Sequence, residues 1–570
     1  MKSRVRRAQG QPLASPASAK PGYFARVEAL LARYATRLTI ALVLFATARI
    51  VATYNTFGYV FDEPAHIACG MQWLDQRSYT YETQHPPLAR VMAALLPRLS
   101  GAHSWKKASE WDEGLAILSG QGDMDRTLAL ARAGVLPFFW LLCWVTYSCA
   151  RWICGTSGMA GAAAVLSVFL LTMTPTILAH AGVASTDMAL TATFLLAIYT
   201  GWRWLEEPSA RRSVIFGASI GLATLSKFST LAFFPAVAVA ALAFWWIAER
   251  PAWSKLAARV RVHALPALMA AFVAAAVIWA GYRFSFGPTP SFSFPVPAPE
   301  LFSGVQEVRH HNATGHLTYL LGAANTVGWP YFYVVALGVK TPLAILGLGI
   351  PGLVLLCSRK QFGTRGWMMP SVVVGILTVA SFFSQIKIGT RHVMPVFAAF
   401  AIAGGCAAVW WLQRAGTHRL AQIAIVILLA WVPVTSLAAH PDYLAYFNAI
   451  AGSKPEDFLV DSDLDWSQDV KRLAQRLKEV GATEVYFNQY APGDLGKLFG
   501  FPPIHPLDVN GPGPGWNAIS ITPMKYGMFG GDRYIYDRGF HFWPEQVQPI
   551  ERVGSGILLY YNAAGAKPAR

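Results

Sequence analysis

Charge is what this chain has least of. Only 14% of its 570 residues are Asp, Glu, Lys or Arg, while 54% are hydrophobic. Soluble domains carry about 25% charged residues. A chain this depleted would expose large apolar patches in water, which excludes an ordinary water-soluble fold. Acid is scarcer than base: 31 Asp and Glu stand against 47 Lys and Arg, for a formal net charge of +16. No basic run is interleaved with aromatics, so no nucleic-acid partner is expected. Cysteine is also sparse. Cys69, Cys143, Cys149, Cys154, Cys357 and Cys406 form neither a disulfide framework nor a zinc spacing. They read as small buried apolar residues. Internal repeats are lacking too.

Long apolar runs are plentiful. A bilayer-crossing helix needs about 20 mostly apolar residues, and about eleven stretches approach that length. They are Leu38–Thr53, Leu128–Ala150, Met159–Leu178, Met188–Leu205, Val214–Leu225, Leu231–Ala248, Ala264–Gly281, Val334–Cys357, Met368–Phe383, Val393–Leu412 and Leu420–Leu437. Residues 1–37 read as a basic cytoplasmic tail, with Lys2, Arg4, Arg6, Arg7 and Lys20, leading into an uncleaved first helix. With the amino terminus inside, alternate connections are short and basic: Arg151; Arg211 and Arg212; Arg250 to Arg261; Arg359 to Arg365; Arg414 and Arg419. That is the positive-inside pattern. The outer face then receives the loop 54–127, the loop 282–333 and everything from 438 to 570. The expected architecture is an α-helical polytopic membrane protein, its membrane domain spanning 38–437, with a small C-terminal α/β domain outside. In that domain Asp465 and Gln468 resemble a capping box. A helix follows to Gly481, and strands are expected at Glu484–Tyr490, Trp516–Thr522 and Gly556–Tyr561.

Chemistry-bearing residues collect on the outer side. Phe61-Asp62-Glu63-Pro64-Ala65-His66 follows the first span directly. An apolar wall beside such carboxylates tunes one toward a general base; the plainer reading is a helix cap. Gln84-His85-Pro86-Pro87-Leu88-Ala89-Arg90 presents His85 and Arg90 around a rigid turn, which also starts an amphipathic interfacial helix through Val91–Leu96. Asp187 precedes the fourth span, as N-cap or as functional acid. Lys227 lies against the charge bias and asks for an anionic partner, and Lys340 interrupts a span. Arg391 and His392 occupy a third outer connection, where an arginine fork suits phosphate oxygens. His310, His311 and His316 lack an accompanying carboxylate at a ligand spacing. The acidic run Asp461–Asp469 begins like a calcium loop, but Trp466 and Arg472 stand where its Gly and Glu belong.

In order, these segments resemble bacterial members of glycosyltransferase family 39, the protein O-mannosyltransferase superfamily with the GT-C membrane fold. The matching stretches are Asp62-Glu63-Pro64-Ala65-His66, His85-Pro86-Pro87-Leu88, Ser185-Thr186-Asp187, Leu225-Ser226-Lys227-Phe228, Gly315-His316 through Gly322, Lys340-Thr341-Pro342, Gly389 through Pro395, Pro441 through Asn448, and Asp461–Asp469. The resemblance implies a membrane transferase, in the bacterial inner membrane, fed by a polyprenyl-phosphate sugar. Asp62 would be the base, with Glu63 in support and Asp187 a second acid. The hydroxyl of a glycan, lipid or protein acceptor would attack with inversion. His66, His85, Arg90, Lys227, His316, Lys340, Arg391 and His392 are then the candidates for holding substrate and phosphate, inferred from charge and side. No resident cofactor is expected. A divalent metal would enter only for an oligosaccharyltransferase-like enzyme with a pyrophosphate donor, and a secondary transporter is the other alternative. No stretch is long enough for the β-trefoil domains of the eukaryotic mannosyltransferases, and the C-terminal domain departs from the lipid A aminoarabinose transferases.

Overall fold

The computed structural model describes residues 23–155, 159–414, 419–529, 533–534 and 543–563; Lys2 through Lys20 of the expected tail lie outside them. The chain is mostly helical, and each of the expected apolar stretches coincides with helix. Among the described residues, six helices are long and apolar enough to cross a membrane: Met124–Cys154, Thr230–Glu249, Ala257–Gly281, Lys360–Phe383, Pro395–Arg414 and Arg419–Ala438. Two bent pairs would raise the number to eight, below the expected eleven. Two of the expected stretches are divided by prolines. Ala160–Thr172 and Pro175–Ala181 meet at 69°, where Pro175 cannot donate to the preceding turn. Pro342 likewise divides Val334–Cys357 into Phe332–Lys340 and Leu343–Ser358. Neither half then reaches the length of a full crossing.

The last part of the expected tail is helical. Tyr23–Arg33 is a helix, bent by 73° from Ala35–Val51. Val27, Leu30 and Leu31 recur at helical spacing, which gives it one apolar face.

The large connecting segments gather at one end of the helices and touch each other. The first contains the helices Glu63–Met71, Pro87–Leu99 and Glu110–Ser119. Its backbone pairs with the C-terminal segment through Gly58 N–H to the Gln468 carbonyl and Phe61 N–H to that of Trp466, each at 3.0 Å. A Cβ on Gly114 would lie 2.0 Å from the Pro64 carbonyl oxygen, so only glycine lets Glu110–Ser119 pack this closely on the loop that carries Asp62. The second segment forms the hairpins Phe286–Thr289/Phe292–Pro297 and Thr318–Leu320/Ala323–Asn325 around the helix Pro299–Thr314.

The C-terminal part holds a five-stranded mixed sheet in the order Glu551–Val553, Ile557–Asn562, Gly515–Ser520, Val485–Asn488, Ile504–His505. The first three are antiparallel neighbours and the last two join in parallel. Against it packs the helix Val470–Glu479, through Val470, Leu473 and Leu477. The capping box does not form. Asp465 instead accepts hydrogen bonds from Ser467 and Thr522 N–H, and Gln468 accepts from Trp466 N–H.

Candidate active site

Where these segments meet lies a cavity of about 760 Å³. Asp62, His66, His85, Arg90, Lys227, His316, Arg391 and His392 all line it. Glu63, Asp187 and Lys340 do not appear on its wall. A larger groove of about 960 Å³ between Ala35–Val51, Leu136–Cys154 and Asp187–Glu206 carries Trp140, Trp144, Arg151 and Arg203 but no carboxylate or imidazole.

Asp62 occupies the N-cap position of Glu63–Met71, yet its side chain caps nothing. It reaches across the cavity to Arg391, Oδ2 to Nη1 at 2.7 Å. Asp187 begins the helix Asp187–Glu206, and its side chain likewise forgoes capping. One oxygen accepts from Lys227 Nζ at 2.6 Å; the other lies 3.9 Å from Arg391 Nη1. The charges therefore form one chain: Asp62, Arg391, Asp187, Lys227. Thr390–Val393 supplies Arg391 from a single 3₁₀ turn. The Arg391 guanidinium stacks 4.2 Å from the Trp466 ring centroid, which fixes its plane. Burial disfavours its charge, but Asp62 and Asp187 outweigh that, so it stays firmly protonated. Two buried polar atoms on this wall have no partner among the described residues: Arg391 Nε and Ser229 Oγ. Buried donors are nearly always satisfied, so these two depart from the rule.

Glu63 was grouped with Asp62 by sequence, and the structure separates them. Glu63 is fully buried and accepts both Arg132 Nε at 2.9 Å and Arg132 Nη2 at 2.8 Å. Val60 and Ala184 N–H add bonds at 2.9 and 2.8 Å. Arg132 spends its other donors on the Tyr54 and Gly58 carbonyls. This is a saturated clamp with no oxygen left for a substrate.

Arg90 is similarly spent. Its guanidinium donates to His66 Nδ1 at 3.1 Å, Tyr79 Oη at 3.0 Å, the Glu82 carbonyl at 2.9 Å and the Glu82 carboxylate. It lines the cavity as a brace, not as a free fork. Lys340 points away from the site. Its Nζ donates to the Leu444 carbonyl at 2.7 Å and the Asp463 carbonyl at 2.5 Å, 4.3 Å from the Phe447 ring centroid. It ties the helix Phe332–Lys340 to the C-terminal segment.

Three of the cavity histidines are held neutral. Burial, with help from Arg90, pushes His66 well below its ordinary value. Burial and Lys227 bring His85 down to about 4 and His392 well below the usual range. They offer neutral imidazoles, so the cations lining the site are Arg90, already spent, with Lys227, Arg391 and the exposed Arg309. His311 joins the wall, bonded to Gln84. Among the described residues no group of three or more His, Cys, Asp or Glu is placed to hold a metal ion.

Sequence reasoning missed the contribution of the C-terminal segment. Asp461, Trp466, Tyr490 and Tyr526 all line the cavity. The acidic run was visible, but nothing local places Asp461, rather than Asp463, Asp465 or Asp469, on the cavity wall.

No protein-family model matches the chain, and no curated protein does. Among solved structures it is similar to ArnT from Cupriavidus metallidurans bound to undecaprenyl phosphate, at 13% identity and a TM-score of 0.48, over 93% of this chain and 99% of that one. It is similar to the Archaeoglobus fulgidus oligosaccharyltransferase in complex with Zn and sulfate, at 15% identity and 0.43, over 78% and 55%. The S. cerevisiae protein O-mannosyltransferase Pmt1–Pmt2 complex bound to the sugar donor matches at 16% and 0.33, over 44% and 33%. These neighbours are GT-C glycosyltransferases. At such identities and TM-scores the likeness is one of general architecture and carries no statement about chemistry.

Proposed function

We propose that this chain moves a sugar from a polyprenyl-phosphate donor to an acceptor hydroxyl at the outer face of a bacterial inner membrane, with inversion. The observation that supports it best is the ordered charge chain with Asp62 at one end and Lys227 at the other. Arg391 and Lys227, with the unpartnered Arg391 Nε and Ser229 Oγ, form a seat for the donor phosphate. A phosphate arriving there competes for Arg391 and loosens its hold on Asp62. Asp62 Oδ1, which lies outside the bond to Arg391, accepts the proton of the acceptor hydroxyl. The acceptor oxygen bonds to the anomeric carbon as the bond from that carbon to the phosphate oxygen breaks, and the electron pair leaves on polyprenyl phosphate. Phosphate is a good leaving group, so fixed cations serve it better than a general acid. Asp187 positions Lys227 and Arg391.

Deleting the gene and comparing glycans by mass spectrometry identifies the acceptor. Complementation with Asp62→Asn leaves the same glycan short of its sugar while the protein accumulates normally. Full restoration by that variant contradicts the assignment.

A further inference from the structure

The cavity has two unlike walls. One carries the phosphate seat. The other comes from the C-terminal segment and carries a carboxylate between two phenols, a grouping that phosphate would avoid. Asp461 is buried, and its Oδ1 accepts Ser462 N–H at 2.6 Å. Its Oδ2 accepts the Tyr490 hydroxyl at 3.2 Å and lies 3.4 Å from the Tyr526 hydroxyl, whose hydrogen it shares with the nearer Leu317 carbonyl at 3.2 Å. Hydroxyl-to-oxygen bonds ordinarily lie near 2.7–2.8 Å, so both phenols sit back from the carboxylate. A carboxylate accepts about four hydrogen bonds, and the third and fourth are loosely or not at all filled here.

The position is held with some effort. Asp461 adopts φ +58°, a region few non-glycine residues visit. The C-terminal segment fixes it there: Asp461 N–H donates to Thr522 Oγ1 at 2.9 Å, and that hydroxyl donates to the Asp465 carbonyl at 2.7 Å. Backbone strain of this kind gathers at functional sites. Tyr490 also stacks on Phe61, with centroids 5.3 Å apart, so the phenol pair adjoins the loop that carries Asp62.

We infer that Asp461, Tyr490 and Tyr526 form a subsite for the ring hydroxyls of the sugar carried by the lipid donor. The inference rests on the reading of Arg391 and Lys227 as a phosphate seat. A glycosyl group is covalently tied to its phosphate and must occupy the space beside that seat, whereas an acceptor enters from outside. Neighbouring ring hydroxyls are paired donors and acceptors. They donate to Asp461 Oδ2 and to the phenol oxygens, whose own hydrogens stay on Asp461 and the Leu317 carbonyl. The C-terminal segment is thereby the part of the chain that selects the sugar.

The test uses purified full-length protein in detergent, with tryptophan fluorescence reporting binding through Trp111 and Trp466 on the cavity wall. The probes are undecaprenyl phosphate and undecaprenyl-phosphate glucose, mannose and galactose. Asp461→Asn keeps the shape and tolerates positive φ; Tyr526→Phe is the second variant. Tyr526→Phe is expected to bind undecaprenyl phosphate within twofold of wild type, and Asp461→Asn, which removes a negative charge that acts on Arg391, no more weakly than wild type. Each should weaken the tightest sugar-bearing lipid tenfold or more and narrow the spread among the three sugars. Unchanged affinity of both variants for a sugar-bearing lipid that wild type prefers over undecaprenyl phosphate overturns the subsite. Equal weakening of all four lipids also overturns it, because that is what loss of a merely structural tie would produce. If wild type binds none of the four, the phosphate seat itself fails and the subsite falls with it.

Discussion

Asp62 and Glu63 are consecutive residues, and each is bound to an arginine. The Glu63–Arg132 pair is enclosed: every oxygen and nearly every guanidinium donor has a partner within 2.9 Å. The Asp62–Arg391 pair faces a cavity, uses one oxygen, and leaves Arg391 Nε without a partner. Burial and ion pairing alone do not separate a structural carboxylate from a reactive one. Saturation does. A filled network resists change, and an unfilled one at a cavity wall is poised to take a ligand.

The comparison can be broken most severely at the enclosed pair. Glu63→Ala strands a buried guanidinium, and losing one partner of a buried pair costs about 3–5 kcal/mol. The expected result is a large drop in thermal midpoint and in membrane level; a normal melt would show that the clamp is dispensable. Arg391→Ala is next. Charged hydrogen bonds of this type contribute about 1.5–3 kcal/mol, so undecaprenyl phosphate should bind roughly 10–100-fold more weakly, with a smaller effect on melting. Lys340→Met sharpens the contrast from the other side. It removes two bonds to carbonyls of residues that do not line the cavity, so it should lower stability by about 1–3 kcal/mol and leave lipid affinity unchanged.

The smallest effect is a pH slope. Burial, with no cation bonded to it, pushes Asp465 up to about 7. A carboxyl held above its unfolded value binds its proton more tightly when folded. It therefore stabilises at acid pH, and that contribution fades as pH rises from about 4 through about 7. Asp465→Asn should flatten this part of the decline in melting temperature. An unaltered slope would place its cause elsewhere.

The helices were readable because crossing a bilayer demands long apolar runs. Their bends at Pro175 and Pro342 were less so, since a proline in an apolar run permits a kink without setting its angle. Asp62, Asp187, Lys227 and Arg391 could be nominated from charge in unexpected places. Their order could not, because it is set by side chains up to 329 positions apart in the chain. Adjacent residues at a helix start point in different directions, and that alone sends Asp62 to the cavity and Glu63 to the clamp. Arg132 hid at the edge of an apolar stretch, and Arg90 and Lys340 looked available until their partners were seen. Asp461 escaped notice because four acids of one run differ only in what the tertiary fold places opposite them.

The account stands most directly on Asp62. Transfer is best measured per folded molecule, with the melting midpoint of the same sample recorded alongside. Asp62→Asn should lower turnover by about 10²–10⁴-fold, the usual contribution of a general base, while melting within a few degrees of wild type. Turnover close to wild type in that variant would contradict the assignment.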